Sequence, residues 1–149
     1  MSGEAKFQSK MLTALKGQGC IVQKFTDRFT KGICDTLACL PTQDMAVLTK
    51  YPPGMWMEIK STLDVPALSA TSWDKAMIPD VDQRRWMKDF GKSVFPAMVV
   101  MSTPWGWTAY PEWAIDEVFD TPHAMIHLVN HRNAITYAAI YQEYARWIR

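Results

Sequence analysis

No stretch of this chain approaches the run of about 18 apolar residues that a membrane-spanning helix needs. The opening segment, Met1-Ser2-Gly3-Glu4-Ala5-Lys6, lacks the apolar core of a secretory signal, so the expected location is the cytoplasm. Cysteine is sparse: Cys20, Cys34 and Cys39 are odd in number and include no C-x-x-C pair. Cys34 and Cys39 would also face opposite ways on one strand, which argues against a disulfide framework or a zinc ribbon and for buried free thiols. Charge of one sign is not in excess, since the net value is +1. Internal repeats, low-complexity tracts and linkers are absent. With 149 residues, 48% of them hydrophobic and 21% charged, the chain has the composition of one ordered domain able to bury a core without staples.

What is there has an order. Phe7, Met11, Ala14 and Leu15 fall on one stripe and predict a helix over residues 4–16, ended by Gly17 and Gly19. Short strands are expected over Cys20–Phe25, Gly32–Leu40 and Met55–Thr62, with a loop over residues 41–54 that closes on Pro52-Pro53-Gly54. Residues 63–80 read as irregular. A helix follows over Val81–Phe90, capped by Asp80 or Asp82 and stopped by Gly91. Pro96–Met101 reads as a buried strand, Thr103-Pro104-Trp105-Gly106 as a turn, and Trp107–Tyr110 as the returning strand. Residues 112–119 and 134–149 look helical, with a shorter helix between them opened by Thr121-Pro122. This order predicts an α/β fold: one domain with a central mixed sheet flanked by helices, a core over residues 4–110, and a C-terminal helical extension over 111–149.

The run Met55-Trp56-Met57-Glu58-Ile59-Lys60 carries the chemistry. Side chains alternate along a strand, so Glu58 and Lys60 share a face with Trp56, while Met55, Met57 and Ile59 take the other and suit a core. Asp35 lies upstream in another apolar stretch. Two carboxylates and a lysine on neighbouring strands are the materials for metal-assisted hydrolysis of a phosphodiester. Magnesium takes oxygen ligands, one or two of them carboxylates. Asp35 and Glu58 would supply these, with the backbone carbonyl of Ile59 as a third oxygen. Lys60 could orient the attacking water, accept its proton, or stabilise charge in the transition state; the sequence leaves these roles open.

Asp35 followed by Glu58-x-Lys60 on the next strand resembles the signature of the PD-(D/E)xK nuclease superfamily. The resemblance spans about residues 4–110 and is greatest to small phage-type, Holliday-junction-resolvase-like and virus-type replication-repair nucleases. It implies a restriction-endonuclease-like core with the acid on the second strand. It also implies a Mg2+ cofactor that Mn2+ can replace, DNA as partner, and hydrolysis leaving a 5′-phosphate in recombination, repair or replication. It further implies that an acid on the first helix, here Glu4, joins the metal site. Gln83 would touch the site, and Arg84 and Arg85 would contact phosphate. Two departures stand out: Cys34 replaces the usual proline before Asp35, and the connection over residues 41–54 is long. A phage-encoded chain of this kind would work in the host cytoplasm.

Other features bear on partners. Residues 1–32 hold six basic against two acidic residues, and the remainder ten against thirteen. A basic N-terminal third with Lys6, Lys10 and Lys31 could track a phosphate backbone, or simply be a solvated helix face. Seven tryptophans are many for this length; aromatics can stack on unpaired bases, but most suit packing, and Trp56, whose neighbours are catalytic candidates, is the one expected to contact DNA. The apolar residues of the C-terminal helix, with Trp107–Tyr110, suggest a symmetric homodimer. His123, His127 and His131 recur every four residues, but a break at residues 130–133 would scatter them, and they read as polar positions. The function expected is a metal-dependent, structure-selective endodeoxyribonuclease. The alternatives are a catalytically silent DNA-binding or assembly protein with the same fold, and an exonuclease or RNA-directed nuclease of the same superfamily.

Overall fold

The stripe of Phe7, Met11 and Leu15 is the buried face of helix α1 (Gly3–Gly17). The helix ends in a Schellman motif: Cys20 N–H donates to the Leu15 carbonyl at 3.1 Å and Gly19 N–H to that of Lys16 at 2.9 Å. Gly19 takes the left-handed conformation this motif requires, with φ +87°. The computed structural model describes residues 3–25, 34–61, 80–91, 95–103, 106–114 and 134–148.

After α1 come β1 (Ile21–Lys24), β2 (Thr36–Cys39), a one-turn helix α2 (Met45–Leu48), β3 (Gly54–Ser61) and α3 (Val81–Phe90). Strands β4 (Ala97–Thr103) and β5 (Gly106–Pro111), a 3-10 turn at Glu112–Ala114 and helix α4 (Tyr137–Ala145) complete the described elements. The five strands form one mixed sheet in the order β1-β2-β3-β4-β5. β1, β2 and β3 are an antiparallel meander; β4 lies parallel to β3 after the crossover through α3, and β5 returns antiparallel. The fold is therefore the expected single-domain α/β arrangement, a mixed sheet flanked by helices.

One face of the sheet is a continuous apolar core. Met55, Met57 and Ile59 of β3 and Met98 and Val100 of β4 pack there against Phe7, Met11 and Leu15 of α1 and Tyr137 and Ile140 at α4. Gln18 fastens the two helices: its side-chain N–H donates to the Ile135 carbonyl at 3.0 Å, and its oxygen accepts from Tyr137 N–H at 3.1 Å. Helix α3 lies against β4 on the opposite face.

Three expectations change. The loop over residues 41–54 contains α2, which starts because the Asp44 carboxylate accepts from Ala46 N–H at 2.9 Å. Strand β2 begins at Thr36, so Asp35 stands at the bend before the strand and not within it. Of the expected 112–119 helix only Glu112–Ala114 is described, and it is a 3-10 turn; residues 115–133, with the expected Thr121-Pro122 helix and the three histidines, lie outside the described residues. Among the described residues no helix is long and apolar enough to cross a membrane.

Candidate active site

The alternation of β3 works as the sequence predicts. Met55, Met57 and Ile59 are fully buried in the core, and Trp56, Glu58 and Lys60 point to the α3 side. Glu58 is only 1% exposed, so its carboxyl depends on the polar groups beside it. Gln83 of α3 donates from its amide nitrogen to Glu58 Oε1 at 2.7 Å, and Lys60 Nζ stands 3.7 Å from the same oxygen. The Gln83 amide is itself oriented by the helix start. The side-chain oxygen accepts from Asp80 N–H at 2.9 Å, and the Gln83 backbone N–H donates to the Asp80 carboxylate at 2.8 Å. This reciprocal capping box turns the NH2 end of Gln83 toward Glu58.

Asp35 reaches the same place from β2. Thr36 pairs with Met57, so the residue before it stands beside Glu58. Asp35 Oδ2 accepts from Ile59 N–H at 3.0 Å, a bond that a backbone carbonyl would make if β2 ran on. Burial pushes the Asp35 carboxyl above the usual carboxylate range. The Ile59 N–H, the Lys60 charge, a hydrogen bond between the two carboxyl groups and the Lys24 charge act against that rise. Burial, and then the negative charges of Glu58 and Asp35, push the Cys34 thiol far up, so it is a protonated, inert neighbour.

These donors fit magnesium. Two carboxylates meet in a buried corner where Asp35 resists ionisation, a conflict that a cation would relieve. The Ile59 carbonyl points to the same side of β3 as its N–H, toward Asp35, because both backbone groups of a strand residue share one edge. Among the described residues no group of three or more His, Cys, Asp or Glu side chains could hold a metal ion; a cation between Asp35 and Glu58 would have two carboxylates and the Ile59 carbonyl as its protein oxygens. That composition suits a hard cation that keeps several waters, and not the closed nitrogen and sulfur cage of zinc.

The other candidates divide. Arg84 Nε pairs with Glu112 Oε1 at 3.1 Å, tying α3 to the 3-10 turn, and exposed Arg85 stands 4.0 Å from Asp82. Lys6 and Lys10 are exposed on α1, in the layer across the sheet from Glu58. Lys31 and the Glu4 side chain lie outside the described residues. Trp56 shares the site face, its ring 4.9 Å from Trp86 of α3 and 5.5 Å from Phe25.

Two neighbours of the site escaped the sequence reading. Lys24 pairs with Thr36 across β1 and β2, which carries its charge to Asp35. Phe25 N–H donates to the Asp35 carbonyl at 2.8 Å, which brings that ring onto the site face. Their signal was the strand-end position opposite Asp35, readable only once the β1–β2 register is known. Comparison with family models, curated proteins and solved structures finds no match to this chain.

Proposed function

We propose that this chain is a magnesium-dependent phosphodiesterase that cuts DNA as a structure-selective endonuclease in recombination, repair or replication. The observation that supports it most is the meeting of Asp35 and Glu58 at one buried point, with Lys60 and Gln83 on the same carboxylate. A salt bridge kept for stability alone accounts poorly for this. Burying two acids against one lysine costs more than an apolar substitute of equal volume.

Each residue has a separable task. Asp35 and Glu58 would hold the cation, with the Ile59 carbonyl beside them. Bound magnesium supplies a water of lowered pKa and neutralises phosphate charge. Gln83 fixes the rotation of the Glu58 carboxylate through its bond to Oε1. The Lys60 ammonium, 12% exposed at its side chain, stands where little solvent screens it, and stabilises negative charge building on the phosphate oxygens. Resemblance to the PD-(D/E)xK superfamily adds the polarity, with a 5′-phosphate on the product.

The test is cleavage of labelled junction, flap, duplex and single-stranded DNA, with magnesium, with manganese and with EDTA. Metal-dependent cutting that is lost in Glu58→Gln and Lys60→Ala is expected. Tight DNA binding without metal-dependent cutting would replace this reading with that of a catalytically silent DNA-binding or assembly protein.

A further inference from the structure

The site face carries more than carboxylates. The sheet register sets Phe25, Asp35 and Glu58 in one line across β1, β2 and β3, and Gln23, Leu37 and Trp56 in the adjacent line. The rings of Phe25 and Trp56 meet at 5.5 Å and 45°, bordering the acidic pair on one side while Lys60 borders it on the other. Phe25, Leu37 and Trp56 are each only half-buried. Among the described residues helix α3 packs chiefly on β4 and the 3-10 turn, and its Trp86 meets Trp56 at 4.9 Å. Behind that contact Trp86 stacks on Phe90 at 4.3 Å and 16°, so Trp56 is braced from the helix side and meets Phe25 on the other.

We propose that Phe25 and Trp56 form a binding site for an unpaired nucleobase. Resting on the phosphodiesterase reading above, this names its substrate class: DNA with an unpaired nucleotide adjacent to the scissile phosphate. The spacing supports it. Trp56 is two residues from Glu58 on one strand face, about 7 Å at the usual rise per residue, which is the scale of one nucleotide. Aromatic side chains take any base, because every base has a π-face, but only a base that is out of its own stack. In a duplex both faces of each base are already covered, so this wall discriminates by strand structure and not by sequence.

The experiment is anisotropy of labelled single-stranded, flap and blunt duplex DNA, measured in EDTA so that no cleavage intervenes. Phe25→Leu keeps apolar bulk at the β1 end; Phe25→Trp keeps the aromatic face. Phe25→Leu is expected to weaken single-strand and flap binding roughly ten- to a hundredfold, to leave duplex binding within about twofold, and to leave the melting temperature in place. Phe25→Trp is expected to restore binding. Equal losses on all three DNAs, no loss on any, or absence of single-strand binding by the unaltered protein would each overturn the proposal. The two readings fail separately. Selective binding in EDTA with no cutting in magnesium removes the phosphodiesterase and keeps the nucleobase site. Lys60-dependent cutting with an unselective Phe25→Leu profile does the reverse.

Discussion

The two faces of this sheet are built from the same strands and put to opposite uses. On the α1 and α4 side, β3 contributes Met55, Met57 and Ile59, all fully buried among aliphatic and thioether side chains. On the α3 side, the same strand contributes Trp56, Glu58 and Lys60, and the burial is of charge, amide and indole. Apolar burial on the first face stabilises the fold in proportion to area removed from water. The second face spends part of that stability on holding acids close together. A side-chain period of two lets one eight-residue strand do both.

The comparison breaks most visibly if the faces are mutated in turn. Lys60→Ala is expected to lower the metal-dependent cleavage rate by at least about 10²–10³-fold, while the melting temperature moves little; wild-type cutting by this variant would remove the assigned site. On the other face Met57→Ala is expected to cost about 2–5 kcal/mol in urea unfolding, with cleavage per folded molecule retained. An unchanged urea midpoint would show that the apolar face does not carry the fold.

Smaller effects sharpen the division. Asp80→Ala removes the cap of α3 and should cost about 1 kcal/mol. Unlike an ordinary cap loss it should also slow cleavage several-fold, because the first turn that carries Gln83 loses the carboxylate holding the Gln83 backbone N–H. Asp80→Asn should restore both stability and rate, and a variant that loses stability at unchanged rate would detach the helix start from the site.

The smallest effect concerns pH. Burial raises the Asp35 carboxyl, so the folded protein binds that proton more tightly than the unfolded chain. The associated stability is present below the ordinary carboxylate value and is lost as pH rises through the raised folded value, which leaves a cost at neutral pH. In EDTA, Asp35→Asn should therefore melt higher than the parent at pH 7. The gap should narrow as pH falls into the carboxylate range. A lower melting temperature for Asp35→Asn at pH 7 would mean that the carboxylate is stabilised where it stands.

Long periodic or tightly punctuated elements were legible beforehand. Helix α1 announced itself by its apolar stripe, and α3 by an aspartate before it and Gly91 after it. Asp80 and Asp82 could each have been the cap; the reciprocal bonds with Gln83 select Asp80. Helix α2 was missed because four consecutive apolar residues carry no helical period, and its start rests on one Asp44 bond. The start of β2 was misjudged because a side chain does there what a backbone does in a strand: Asp35 takes the Ile59 N–H.

By itself the sequence determined the order of elements, the division of β3 into an apolar and a polar face, and the acids and lysine worth bringing together. Those are local properties, set by side-chain period and turn chemistry along a few residues. Only the tertiary structure decided that Asp35 stands beside Glu58 and that the NH2 end of Gln83 faces it. The commitment of Arg84 to Glu112, and the arrival of Lys24 and Phe25 at the site border, were likewise decided there. These are matters of register and packing between distant segments, and no window of neighbouring residues contains them.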